Sequence, residues 1–190
     1  MPTHVALLRG INLAGRNRVA MAALREVVEG LGHTDVATYI QSGNVVFTSA
    51  ETNPRTVAAA LEQAIGDQLG VRPKVVVLTC RELAQVVAGN PFADEDNPKL
   101  VHAVFWNGPL GPEELDAVAA AQQRSRELGS RDQARVVGTT LYLHTPDGFG
   151  RSELAAQLTK LAGGRTAGTA RNWATVRKLL AMCDETEDGS

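Results

Sequence analysis

The chain has 190 residues, 44% of them hydrophobic, enough to bury a sizeable core as one large domain or two small ones. A formal net charge of −2 and a pI near 6.1 exclude the global positive field of a general nucleic-acid binder, so any anion site must be local. No apolar run approaches the roughly 18–20 residues of a membrane-crossing helix, and the first residues show no secretion signal, so the expected compartment is the cytoplasm, with no membrane partner.

HVALLRG, ending at Gly10, reads as a short buried strand. In MAALREVVEGLG, Met21, Leu24, Val27, Val28 and Leu31 fall at three- and four-residue steps, which predicts a helix stopped at Gly32. DVATYIQSGNVVFTS holds two β-rich runs around QSGN, a hairpin pattern. NPRTVAAALEQAIGDQLG has Asn53 as cap, Pro54 at the first helical position, and Val57, Leu61, Ile65 and Leu69 on one face. PKVVVLT is a further buried strand. Over residues 1–79 the order is strand, helix, strand, strand, helix, strand, the split βαβ arrangement called ferredoxin-like.

TCRELAQVVAG opens with a capping box, Thr79 and Glu82, and predicts a connecting helix; with the turn-forming ADEDNPK it makes 80–98 a linker. The second half, 99–183, starts the pattern again: LVHAVFW as strand, GPEELDAVAAAQ as helix, ARVVG and TLYLHT as hairpin, SELAAQLTKLAG as a helix capped by Ser152. A helix containing Trp173, Val176, Leu179 and Leu180 then stands where the last strand would be. The expectation is therefore an α+β protein of two tandem ferredoxin-like subdomains with antiparallel sheets, βαββαβ and then βαββα with a C-terminal helix. The acidic end, 184–190, is expected to be disordered.

Several blocks carry a resemblance: ALLRGIN at 6–12, GRN at 15–17, TYIQSGNVVF at 38–47, DGFGRSEL at 147–154 and TxRNWxTV at 169–176. They look like a bacterial family of uncharacterised proteins, a domain of unknown function. The resemblance implies a two-part α+β fold and brings no established activity, substrate or catalytic residue. Leu13-Ala14 departs from the glycine-rich pair common there, and Ala170 from the usual hydroxyl residue.

In the ferredoxin-like order the loop after the first strand and the hairpin between the second and third emerge at one end of the sheet. Arg9, Asn12, Gly15, Arg16, Asn17, Gln41, Ser42 and Asn44 are therefore candidates to converge on a phosphate- or carboxylate-bearing small molecule. A purely structural reading stands beside this: Gly10, Gly15 and Gly43 supply turns, while Asn17 and Asn44 satisfy loop carbonyls. DGFGRS places Arg151 and Ser152 at a helix start, and TARNWATV places Arg171 and Asn172 near another, with Trp173 buried and Arg171 turned outward. The first 25 residues hold four arginines and no acid, and Arg151 to Lys178 hold six basic residues against Glu153, so a shared basic cleft is expected if these ends meet.

Catalytic signatures are missing from the sequence. Arg16-Asn17 replaces the lysine and hydroxyl of a phosphate-cradling GxxxxGK[ST] loop, and there is no GxSxG elbow. No catalytic residue and no cofactor is assigned. Cys80 and Cys183 form no CxxC pair, and His4, His33, His102 and His144 are widely spaced, so no metal is expected. Three readings follow, in this order: a protein or enzyme binding a small anionic molecule; a single-stranded RNA-binding module, for which Phe105, Trp106 and Tyr142 are the stacking candidates; and a non-catalytic partner-binding scaffold. Nucleic acid is not expected as the main partner.

Overall fold

The computed structural model describes residues 1–162 and 168–184. Of the tail expected at 184–190, Asp184 ends the last helix, and residues 185–190 lie outside the described residues, as does Arg165. The chain divides into two compact units: Met1–Gln85 with the stretch from Lys178 onward form one, Val86–Arg177 the other. Each contains a four-stranded antiparallel sheet.

The first unit runs β1 (His4–Arg9), α1 (Met21–Gly30), β2 (Thr34–Tyr39), β3 (Asn44–Thr48), α2 (Pro54–Leu69), β4 (Lys74–Thr79), with strands in the order β2-β3-β1-β4. The unbroken apolar runs of β1 and β4 suit strands buried on both faces: Val5 and Leu7 are as buried as Ala6 and Leu8 on the other face. Ala6, Leu8, Val45, Phe47, Val75 and Val77 form one core with Leu24, Val27 and Val28 of α1 and Val57, Leu61 and Ile65 of α2. Each of these buried valine, leucine, isoleucine and phenylalanine side chains contributes about 1.5–3 kcal/mol. Asn53 caps α2 as its position predicts, its side chain accepting from the Arg55 N–H at 3.0 Å. The polar β2 lies at the edge, where a register shift between Thr34 and Ala37 and a positive φ of 52° at Asp35 break the ladder.

The second unit holds β5 (Val101–Phe105), α4 (Pro112–Glu127), β6 (Gln133–Val137), β7 (Thr140–His144), α5 (Glu153–Ala162) and β8 (Thr169–Asn172), in the order β6-β7-β5-β8. This corrects the expectation that a helix replaces the last strand. Thr169–Asn172 pairs with β5, Phe105 opposite Thr169 and His102 opposite Asn172. Four residues are too few for a strand period to show, and Asn172, whose Oδ1 accepts from the Thr175 N–H at 2.9 Å, also caps the next helix. The helix signal therefore hides the strand.

Two helices cross between the units. α3 (Cys80–Ala88) begins in the first and ends in the second; α6 (Trp173–Asp184) does the reverse. The capping box is present: the Glu82 N–H donates to Thr79 Oγ1 at 3.1 Å, and Thr79 N–H donates to Glu82 Oε2 at 2.7 Å. Cys80 and Cys183 form a disulfide, their Cα atoms 5.9 Å apart across 103 residues of sequence. Nothing local pairs two cysteines at that separation; they meet because the end of α6 belongs to the first unit.

Candidate functional site

The stretch RGINLAGRN is a small hairpin hung on Asn12. Leu13 and Arg16 bridge, and Arg16 N–H donates to Leu13 O at 2.8 Å, so Ala14 and Gly15 occupy a two-residue turn. Both have positive φ, 45° and 79°, the pattern of a type I′ turn. Asn12 Oδ1 accepts from Val19 N–H at 2.8 Å, and its amide donates to Val19 O at 3.0 Å and Gln41 O at 2.8 Å. Asn17 Nδ2 donates to Gly10 O at 2.8 Å.

The hairpin turn after β2 lies against this loop. Leu8 N–H donates to Gly43 O at 2.8 Å, and a Cβ added at Gly43 would stand 2.7 Å from Ile11 Cδ1. Asn44 is fully buried, its amide donating to Tyr39 O at 3.1 Å and Ser42 Oγ at 2.9 Å. The structure thus brings the two segments together, as antiparallel strand order requires. It also gives the asparagines internal partners: the amides of Asn12, Asn17 and Asn44 all hold backbone oxygens, which makes them positioning residues. Positive φ occurs at Asn12, Ala14, Asn17 and Ile40 within these segments, and elsewhere among described non-glycine residues only at Asp35.

The charged groups that face water here are cations. Arg16 and Arg18 are exposed, and Arg9 is half-buried at the end of β1. Two further cations reach the same end by a route the local sequence does not show: Arg9 pairs in register with Lys74, so the segment before β4 brings Arg72 and Lys74 alongside. Segments 9–20, 40–44 and 70–74 contain Arg9, Arg16, Arg18, Arg72 and Lys74 and no carboxylate. Glu62 of α2 is occupied, accepting from Lys74 Nζ at 3.4 Å and from Val75 N–H at 2.9 Å. Asp67 and Arg72 share the lining of a shallow cavity beside α2.

At the opposite end of this sheet His4 and His33 flank Phe47, with ring centroids 5.8 Å and 4.8 Å away. Burial lowers the pKa of both, and the charge of a protonated His33 further lowers that of His4.

In the second unit the block holding Arg151 and Ser152 and the strand holding Arg171 and Asn172 both lie beside His102, which Phe149 stacks on and which pairs in register with Asn172. Ser152 Oγ accepts from Ala155 N–H at 2.9 Å and caps α5; Arg151 beside it is exposed. Phe149 of the same block stacks on His102, ring centroids 3.9 Å apart, and burial lowers the pKa of this imidazole to about 4. Arg171 lies in β8, and its guanidinium donates to Thr169 Oγ1 at 2.7 Å and Ala170 O at 2.9 Å; burial lowers its pKa to about 10. Trp173 is buried near Tyr142, and Tyr142 OH donates to Val86 O at 2.7 Å. Phe105, Trp106 and Tyr142 are 2%, 6% and 1% exposed, so none offers a face for stacking bases. A cluster missed by the sequence reading joins His144 to Glu95, Nε2 to Oε2 2.7 Å, with Phe92 stacked on the imidazole and Arg135 over Phe92. Pairs this distant in sequence leave no local signal. Among the described residues no group of three or more His, Cys, Asp or Glu is placed to hold a metal ion, and no helix is long and apolar enough to cross a membrane.

Fold and site together define a class: a two-unit α+β protein with two four-stranded antiparallel sheets, one of which ends in a strained, cationic pair of loops. The chain belongs to a protein family of unknown function, DUF1697, whose model matches residues 1–142. The match takes in ALLRGIN, GRN and TYIQSGNVVF; the blocks after residue 142 lie beyond it. Among solved structures, the conserved bacterial protein SP0830 from Streptococcus pneumoniae is similar, with a TM-score of 0.74 and 22% identity over 96% of this chain and 98% of that one. That likeness speaks for the fold alone. No curated protein matches.

Proposed function

We infer that the cationic end of the first sheet binds a small phosphate- or carboxylate-bearing molecule. The observation that carries this reading is the placement of Arg9, Arg16, Arg18 and Arg72 at one end of the first sheet, on segments that hold no carboxylate; Lys74 at the same end is ion-paired with Glu62. Backbone held in sparsely populated φ at Asn12, Ala14, Asn17 and Ile40 supports it, because such strain costs about 1–3 kcal/mol per residue and collects at ligand sites. In this reading Arg16 and Arg18 are the fork donors, and Asn12, Asn17 and Asn44 hold the loops that present them. Gly15 and Ser42 serve the turns, and Gln41 contributes its backbone oxygen. The strand order and pairing of both units favour the ferredoxin-like arrangement for each.

The RNA-binding reading is weakened by the burial of its stacking residues. Thermal melting with phosphate or citrate tests the anion reading. Both are expected to raise the melting temperature of the wild type and of Arg151→Gln, and to leave the double variant Arg16→Gln/Arg18→Gln unmoved. An equal rise in all three proteins would overturn it.

A further inference from the structure

The end of the first unit that carries the cations also exposes two large aliphatic side chains, Leu13 at 62% and Ile40 at 51%. They stand on the two touching segments, one residue to either side of the hydrogen bond from Asn12 Nδ2 to Gln41 O. Ile40 has φ 49°, a conformation a β-branched residue adopts only under constraint, and Leu13 enters the turn whose Ala14 has φ 45°. Neither side chain supplies the core. Both sit where a loop tip would ordinarily be polar, and the neighbouring side chains, Arg16 and Arg18, are exposed cations.

We propose that this end of the first unit takes an anionic amphiphile, a phosphate or carboxylate joined to an aliphatic chain, with Arg16 and Arg18 on the anionic group and Leu13 and Ile40 against the chain. The proposal rests on the anion reading above and names its ligand class. A bare inorganic anion would gain nothing from two aliphatic side chains. A nucleic acid would call for aromatic faces, and segments 9–20 and 40–44 hold no aromatic residue. Apolar area removed from water adds free energy in proportion to chain length, so the ligand class has a graded signature.

Calorimetric titration of the full chain with inorganic phosphate, butyl phosphate and octyl phosphate, each below its micelle concentration, reads that signature. Affinity is expected to rise along the series by at least tenfold overall. The variant Leu13→Asn/Ile40→Asn is expected to flatten the rise while keeping its affinity for inorganic phosphate; asparagine tolerates the positive φ at position 40, and an unchanged melting temperature verifies the fold. Arg16→Gln/Arg18→Gln is expected to lose the whole series. Equal affinity for phosphate and octyl phosphate overturns this inference and leaves the anion reading standing; no binding of any of the three overturns both. A rise that survives in Leu13→Asn/Ile40→Asn also overturns the inference. Sedimentation with phosphatidylglycerol or phosphatidylcholine vesicles separates the sources: retention by the anionic vesicles alone supports a bilayer lipid, and no retention alongside the graded series supports a free amphiphile.

Discussion

The two units build the same strand order and differ at corresponding loops. In the first, residues 10–20 join β1 to α1 with positive φ at Gly10, Asn12, Ala14, Gly15 and Asn17, and the β2–β3 turn adds Ile40 and Gly43. In the second, residues 106–111 join β5 to α4 with no positive φ, and the β6–β7 turn uses Gly138 alone. The fold therefore does not require the strain. One unit makes these connections with ordinary backbone, and the other spends conformational energy on a presented, cationic loop pair.

The largest effect that can break this comparison is expected at its two turn glycines. Gly43→Ala places a methyl 2.7 Å from Ile11 Cδ1 and 2.8 Å from Leu8 Cβ at φ 76°. Overpacking and left-handed backbone together should cost about 2–4 kcal/mol. Gly138→Ala has no atom within 4 Å of its added Cβ and should cost about 1 kcal/mol. Chemical denaturation of both variants decides the matter; equal losses would mean the loops of the first unit are no more tightly constrained.

Asn12→Ala comes next. It removes three hydrogen bonds and the residue type best suited to φ 53°, for an expected loss of about 2–3 kcal/mol. Its counterpart Ser152→Ala removes one helix cap in the second unit and should cost about 1 kcal/mol. Hydrogen exchange should open residues 10–19 in the first variant and the start of α5 in the second.

The buried imidazoles give the comparison a pH dependence. His102 protonates near 6.5 when exposed and near about 4 in the fold, because burial disfavours its charge. Between those values the unfolded chain binds a proton that the folded chain refuses, so the stabilisation is complete above pH 6.5 and declines down to about pH 4. Roughly 2 kcal/mol is at stake for a half-buried imidazole with such a shift. His4 and His33 move in the same direction in the first unit. His102→Gln should flatten the second unit's share of the acid loss, measured by denaturation at pH 7 and pH 5.

The smallest expected effect has the opposite sign. Ala14 occupies φ 45° at no visible gain in packing, so Ala14→Gly should stabilise by about 0.5–1 kcal/mol. A loss in the same denaturation assay would show that the alanine is held for a contact.

The sequence by itself determined what depends on neighbours along the chain. Helical spacing marked α1 and α2, Asn53 and Ser152 announced the caps of α2 and α5, and Thr79 with Glu82 announced α3, because these capping bonds span three residues or fewer. The meeting of the first loop with the QSGN turn was also legible, since antiparallel order places those ends together. Tertiary structure decided the rest. Thr169–Asn172 becomes a strand only because β5 leaves an edge to pair with, and Cys80 finds Cys183 only because α6 returns to the first unit. Arg72 and Lys74 join the cationic end through the register of β4 with β1. The asparagines of RGINLAGRN and QSGN look like ligand donors in a line of letters; in three dimensions the backbone oxygens of Gln41, Gly10 and Tyr39 claim them, because the tight turns fold those oxygens back onto the side-chain amides.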